Sequence, residues 1–156
     1  MLYLLPCVLA AEPQEQFTAG GLAGYGRSWT PDNADDKRTA VTAGVAFAFY
    51  LPPVFYMPAS LQLLVLKVPG GSVFFPDVSA GYGIAPFGRW GPHAAGLVGV
   101  GARLTGIEAN LGWSAGVGLG PVSIDYRRRG GWQSYAPDRF VAHTLELSVQ
   151  LVQDEP

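Results

Sequence analysis

The stretch that decides the fold runs from residue 107 to residue 120 and reads IEANLGWSAGVGLG. Its odd positions are all apolar: Ile107, Ala109, Leu111, Trp113, Ala115, Val117 and Leu119. Its even positions are polar or glycine: Glu108, Asn110, Gly112, Ser114, Gly116, Gly118 and Gly120. Because successive side chains of a β-strand point to opposite faces, this alternation predicts a strand with one apolar and one polar face. A soluble barrel turns its apolar face inwards and a membrane barrel turns it outwards, so the orientation of this face decides the class of protein.

Composition favours the outward orientation. The chain has 156 residues, enough for one domain, and charged residues make up only 14% of it, against roughly 25% in a typical soluble domain. So few charges cannot coat a soluble protein of this size. The formal net charge of −2 gives no reason to expect nucleic acid as a partner.

The first eleven residues, MLYLLPCVLAA, resemble the apolar core and small-residue cleavage site of a secretory signal peptide. We therefore expect residues 1–11 to be a short signal and residues 12–156 to form a single domain. The alternative is that residues 1–11 are an apolar first strand. The single cysteine, Cys7, lies in this segment, so the mature chain is expected to have no disulfide.

Alternation of the same kind predicts eight strands in all. They cover residues 17–28, 38–51, 56–68, 77–87, 93–104, 107–120, 121–128 and 139–152. Long connections are expected at 29–37, 69–76 and 129–137, and short ones at 52–55, 88–92 and 120–121, with a short connection at 105–106 as the exception. The long connections would lie at one end of a barrel and most of the short ones at the other.

Two tight turns predict a register. A turn at Thr105-Gly106 would pair Leu104 with Ile107 and Arg103 with Glu108. A turn at 120–121 would pair Val117 with Ile124 and Gly116 with Asp125.

The polar face consists mostly of glycine, alanine, serine and threonine with a few charges, which suits the crowded interior of an eight-stranded barrel. We therefore predict a luminal charge network of paired residues: Arg103, Glu108, Asp125, Arg127 and Glu146. Aromatic residues should form two belts at the strand ends. One belt comprises Trp29, Phe74, Phe75, Trp132, Tyr135 and Phe140, and the other Phe49, Tyr50, Phe55, Tyr56, Phe87 and Trp90.

With its signal-like start, eight alternating strands and unequal connections, the chain resembles the small eight-stranded outer-membrane barrels of the OmpA, OmpX and opacity type. The resemblance covers about residues 17–152 and is one of pattern. It implies an all-β fold, an eight-stranded antiparallel up-and-down transmembrane β-barrel, in the bacterial outer membrane. One departure is the C-terminal LVQDEP, because members of this group usually end their last strand in Phe or Trp.

The expected role is structural, surface-contacting or lipid-binding, in a monomer with a side-chain-filled lumen. Arg128, Arg129 and Arg139 flank the last long connection, and guanidinium groups bind phosphate well, so they are predicted to contact lipopolysaccharide phosphates. Neither a cofactor nor a metal site is predicted.

Two alternatives remain. A secreted soluble barrel would carry an apolar ligand inside. An outer-membrane lipid hydrolase would use a histidine, and some barrels resembling this one use a His and a Ser two residues apart on one strand. This chain has His143, Thr144 and Leu145 there, so no catalytic residue is assigned.

Overall fold

The computed structural model describes residues 16–30, 33–51, 53–68, 70–103, 106–132 and 141–152. They form a closed barrel in which each strand pairs antiparallel with its neighbour in the chain and the first strand pairs with the last. The strands are β1 (Gln16–Thr30), β2 (Asn33–Leu51), β3 (Phe55–Val68), β4 (Gly71–Ile84), β5 (Pro92–Arg103), β6 (Gly106–Leu119), β7 (Val122–Trp132) and β8 (Val141–Val152). No helix in the described ranges is long and apolar enough to span a bilayer.

The eight predicted strands are confirmed, but the predicted contrast between long and short connections is wrong. β1 continues to Thr30 and β2 begins at Asn33, while β4 begins at Gly71. The polar segments therefore extend the hairpins, because a ladder is made by backbone groups and tolerates side chains typical of loops. The longest connection within the described ranges is 85–91, where a short one was expected. The connection 133–140, and with it Arg139, lies outside the described residues.

The two ends of the barrel differ in the connections that they carry. The hairpin end carries the β1–β2, β3–β4, β5–β6 and β7–β8 connections. The termini end carries the other connections, the first residue of β1 and the last of β8. At the termini end, segment 85–91 adds to the sheet, since the amide of Gly118 donates to the carbonyl of Gly91 at 2.8 Å. Gly120 has φ of 73° and lies beneath Trp90, so a side chain there would be both strained and obstructed.

The register agrees with one prediction and corrects the other. Val117 pairs with Ile124 and Gly116 with Asp125, as expected. Arg103, however, pairs with Gly106, and Glu108 pairs with Gly101, so the predicted Arg103–Glu108 pairing is wrong. A shift of two residues leaves every side chain on its own face, so alternation alone cannot detect it.

The apolar face points outwards, as predicted. Leu111, Val117 and Val149 are 50%, 46% and 53% exposed, whereas Glu108 is 3% exposed. The interior is not the apolar cavity that a soluble carrier would need. Instead, many luminal positions are glycines such as Gly26 and Gly44, where a Cβ would collide with the backbone of the neighbouring strand.

Apolar side chains close the lumen above and below a polar middle. The cluster towards the hairpin end comprises Ala40, Leu64, Leu66, Phe75 and Ala142. The cluster towards the termini end comprises Ala48, Tyr50, Tyr56, Ala85, Ala95 and Leu97. Phe75, Tyr50 and Tyr56 were expected in the outer aromatic belts, and that placement is wrong because their strand positions face the lumen.

Candidate functional sites on the two faces of the barrel

The polar middle of the lumen is organised around Glu146 on β8. Its carboxylate accepts a hydrogen bond from Thr144 at 2.9 Å and a longer one from Thr42 at 3.5 Å. It also forms ion pairs with Arg127, 3.6 Å from Nε to Oε2, and with Arg129. Four groups therefore converge on one carboxylate that is almost completely removed from solvent.

Arg129 carries this network across the barrel. Its guanidinium lies 3.3 Å from a carboxylate oxygen of Asp77 on β4 and donates to Gln62 on β3. Asn110 on β6 donates to the other oxygen of Asp77 at 2.9 Å, and Arg127 donates to Ser60 on β3 at 2.9 Å. Two guanidinium groups thus face two carboxylates, which is how buried charge is tolerated in a low-dielectric interior.

A second polar cluster lies nearer the termini end. His93 Nε2 lies 2.7 Å from Asp125 Oδ1, and Ser123 donates to the other oxygen of Asp125 at 2.8 Å. Ser123 is also 2.6 Å from the hydroxyl of Ser148. The ring of Tyr56 lies 5.0 Å from the ring of His93, whose side chain is fully buried. The cluster therefore joins the polar middle to the aromatic residues below it.

Of the five residues predicted to form the luminal network, the structure brings Arg127 and Glu146 into contact and pairs Asp125 in register with Glu146, although the Asp125 carboxylate is hydrogen-bonded to His93 and Ser123. Glu108 is luminal on β6, and the side chain of Arg103 lies outside the described atoms. Sequence reasoning missed three partners: Gln62, Asp77 and Arg129. Alternation had placed Asp77 on the polar face of its strand, whereas Gln62 lies where alternation is blurred and Arg129 lies beyond the predicted end of the seventh strand at residue 128.

Arg129 requires a correction. It was predicted to contact lipid phosphates at the rim, but it is 4% exposed and bound to carboxylates inside the barrel. The reason is parity: Arg127 and Arg129 lie two residues apart on one strand and must share a face. Arg128 lies between them and takes the outer face.

The outer face has its own cationic patch, which consists of Arg27, His143 and Arg128 on three adjacent strands. His143 is paired in register with Arg27 on β1 and with Arg128 on β7. Trp29 stacks on the His143 ring, with centroids 4.7 Å apart and planes 12° apart, and Nδ1 of His143 is hydrogen-bonded to the hydroxyl of Tyr126. The patch is therefore held by aromatic neighbours and presents two guanidinium groups around one imidazole.

The two histidines, His93 and His143, lie on opposite faces of the barrel wall. Their hydrogen bonds go to Asp125 inside the barrel and to Tyr126 outside it. Neither arrangement reproduces the histidine and serine pair of the hydrolase alternative. No group of three or more potential metal-ligating residues occurs among the residues that the structure describes.

Side chains fill most of the lumen. A cavity of about 30 Å³ lies between the two polar clusters, beside Asp125, Arg127, Ser148 and Gln150. A cavity of this size has room for ordered water, since about 10–15 Å³ is enough to hold one molecule. The described side chains therefore leave only a small space in this part of the lumen.

Comparison with known proteins identifies solved structures that have a similar fold. No family model and no curated protein matches the chain. Among solved structures, the chain is similar to the Yersinia pestis outer membrane protein Ail in a phospholipid bilayer nanodisc, with a TM-score of 0.53 and 11% identity over 88% of this chain and 100% of that one. It is also similar to Neisserial surface protein A, NspA, with a TM-score of 0.55 and 12% identity over 86% of this chain and 97% of that one.

A third similar structure is a designed transmembrane β-barrel, with a TM-score of 0.51 and 14% identity over 90% of this chain and 98% of that one. At these identities the likeness is one of architecture. A designed barrel shares it, so the architecture implies no particular activity. The fold is that of the small eight-stranded transmembrane β-barrels, as the sequence pattern predicted.

Proposed function

We propose that this protein is an integral outer-membrane barrel that anchors a small, sealed β-structure in the bilayer and binds membrane lipid on its outer face. The observation that carries the proposal is the uncharged band on the outer face. On all eight strands, the described outward side chains from the termini end up to the level of Arg27 and Arg128 carry no charge. Large apolar members of this band are strongly exposed, including Val98 at 61%, Leu145 at 58% and Leu151 at 79%.

The band has the dimensions of a bilayer core. On β2 it extends from Val41 to Leu51 and on β3 from Phe55 to Val65, which matches the roughly 9–11 residues that a tilted strand needs to cross the hydrocarbon region. Towards the hairpin end it is bounded by outward cationic residues: Arg27, Lys37, Lys67 and Arg128. Exposed apolar surface on this scale is unfavourable in water and stable in lipid.

The luminal network supports a sealed rather than conducting role. Arg127 and Arg129 are held by Glu146 and Asp77 in the middle of the lumen, with apolar clusters on both sides. Opening a water-filled path would require these ion pairs to separate. The proposal therefore assigns the function to the outer surface.

Fractionation tests the membrane assignment. The full-length chain, expressed in a Gram-negative host, should fractionate with the outer membrane, require detergent for extraction and show a heat-dependent shift in gel migration. A protein that stays monomeric in buffer without detergent would contradict the assignment.

A second, finer element of the proposal is that the cationic patch binds lipopolysaccharide phosphate. Arg27 and Arg128 flank His143 at the edge of the uncharged band, where lipid headgroups lie. Arginine suits this role because its planar guanidinium donates two hydrogen bonds to phosphate oxygens. Of the three arginines expected in this role from the sequence, Arg128 is retained, Arg129 is excluded by its luminal position, and Arg139 lies outside the described residues; Arg27 joins Arg128.

The test compares Arg27→Gln and Arg128→Gln with Lys67→Gln, a cation at the same edge two strands from Arg27. The first two variants should release lipopolysaccharide that co-purifies with the protein, and the third should retain it. Equal retention in all three would exclude the patch as the phosphate site.

A further inference from the structure

A groove on the outer face lies close to the cationic patch. It has a volume of about 330 Å³ and is open along its length. Its floor is made of small outward residues, Ala94 and Gly96 on β5 and Ala115 on β6. Trp113 and Ile84 form part of its walls. Gly96 is paired on one side with Tyr82 and on the other with Trp113, so two large rings stand beside a position that has no side chain.

The groove and the patch lie on one continuous row of paired residues. From Gly96 the row passes to Trp113, then to Arg128, and then to His143. Trp113 also contacts Tyr126, with ring centroids 5.5 Å apart, and Tyr126 is bonded to His143. An unbroken aromatic surface therefore joins the groove to the cations.

The row also slopes in the direction that a lipid requires. A row of paired residues that starts on β8 and passes through β7, β6 and the remaining strands comes back to β8 at a position nearer the termini end than its starting point. Strands of a barrel tilt against its axis, which produces this offset. The groove thus lies deeper within the uncharged band than Arg128, as an acyl chain lies deeper than its headgroup.

We propose that the groove holds an acyl chain of the lipopolysaccharide whose phosphate is bound by Arg128, so that the protein retains this lipid as one specific ligand. This inference rests on the lipid-binding function proposed above. Charge complementarity selects a phosphate-bearing lipid, and the small floor residues let the chain lie against the backbone between Tyr82 and Trp113. Each methylene of the bound acyl chain adds dispersion contacts with these rings.

The variant Gly96→Leu tests the inference without disturbing the barrel. A Cβ on Gly96 would meet no atom within 4 Å, so the added side chain projects into the groove alone. Gly21 on β1 provides the matched control, because it is an outward glycine with equally open space and lies outside the groove. Neither glycine has a positive φ, so neither substitution introduces backbone strain.

Each full-length variant is extracted from outer membranes in mild detergent, and the lipids that remain bound are identified and counted by native mass spectrometry. Gly96→Leu should lower the lipopolysaccharide retained per barrel about tenfold, through loss of contacts with a few methylenes. Gly21→Leu should retain as much as the unmodified protein, and heat-modifiable migration should be unchanged in both.

The possible outcomes separate the two proposals. Retention by Gly96→Leu together with loss in Arg128→Gln overturns the acyl-chain site and leaves the phosphate site intact. Retention in both variants excludes both the groove and the cationic patch as the site of the retained lipid. A retained lipid that is a glycerophospholipid, or a dimer of the chain that Gly96→Leu dissociates, also overturns the inference.

Discussion

Three consecutive arginines on β7 show how differently the two faces of this barrel use one residue type. Arg127 and Arg129 are 6% and 4% exposed and are bound to luminal carboxylates. Arg128, between them, lies on the outer face beside His143. Inside, a guanidinium is one half of a buried ion pair and its loss affects folding. Outside, it is a binding group at the edge of an apolar band, and its loss should affect ligand retention. The predictions below test this difference.

The largest effect is expected from Glu146→Gln. This change leaves Arg127 and Arg129 buried without their shared carboxylate, and breaking a buried pair by removing one partner costs about 3–5 kcal/mol. The measurement is the free energy of unfolding in urea, in phospholipid bilayers. The double variant Glu146→Gln, Arg129→Gln should be more stable than the sum of the single effects predicts. A loss of stability below about 0.5 kcal/mol for the single variant would show that the luminal network is not structural.

Leu147→Arg, one residue away but on the opposite face, tests the outer band. If that face meets hydrocarbon, a cation in the middle of the band should cost about 2–4 kcal/mol in the same bilayer experiment. Thr39→Arg is the depth control, because Thr39 is an outward residue at the edge of the band and should cost about 0–1 kcal/mol. A neutral Leu147→Arg would contradict membrane insertion.

A smaller effect is expected from Asp125→Asn in the cluster with His93. The amide keeps the shape of the side chain but cannot accept hydrogen bonds at both positions, so we expect a loss of about 1–3 kcal/mol. Ser123→Ala removes a single hydroxyl and should cost about 1 kcal/mol. If Asp125→Asn is more harmful than Glu146→Gln, the centre of the luminal network has been assigned to the wrong cluster.

The smallest change in stability is expected from Arg128→Gln. Ion pairs and cations at an edge of this kind contribute at most about 1 kcal/mol, so the urea midpoint should hardly move while retained lipopolysaccharide falls. A large loss of stability with unchanged lipid would mean that Arg128 is a structural residue like its two neighbours.

These contrasts also show which parts of the molecule were readable in the sequence. The faces of β6, β7 and β8 follow from strict alternation, so the luminal positions of Asp125, Arg127 and Glu146 could be predicted. Continuing the same alternation places Arg129 on the inner face. Three consecutive arginines next to a connection, however, favoured a position at the rim of the barrel for Arg129. On β3, where Leu61 to Leu66 are nearly all apolar, alternation gives no signal, and only the barrel shows that Leu64 and Leu66 face inwards.

Connections and contacts across the lumen were not readable. The polar segments 29–37 and 69–76 have the composition of loops, yet their described residues extend the β1–β2 and β3–β4 ladders, since backbone hydrogen bonds form irrespective of side chains. The two-residue shift between β5 and β6 preserved both faces and so left no trace in the pattern.

By itself, the sequence determined that eight strands alternate, which face of most strands is apolar, and that charges are too few for a soluble surface, because these are properties of residue type and of a period of two. Only the tertiary structure decided which residues meet. Glu146 is near the C-terminus and Asp77 is in the middle of the chain, and they share Arg129 because closure of the barrel brings β8, β7 and β4 around one lumen. The row from Gly96 to His143 exists only because the register aligns four consecutive strands, so the proposed lipid site is a product of strand register rather than of any local motif.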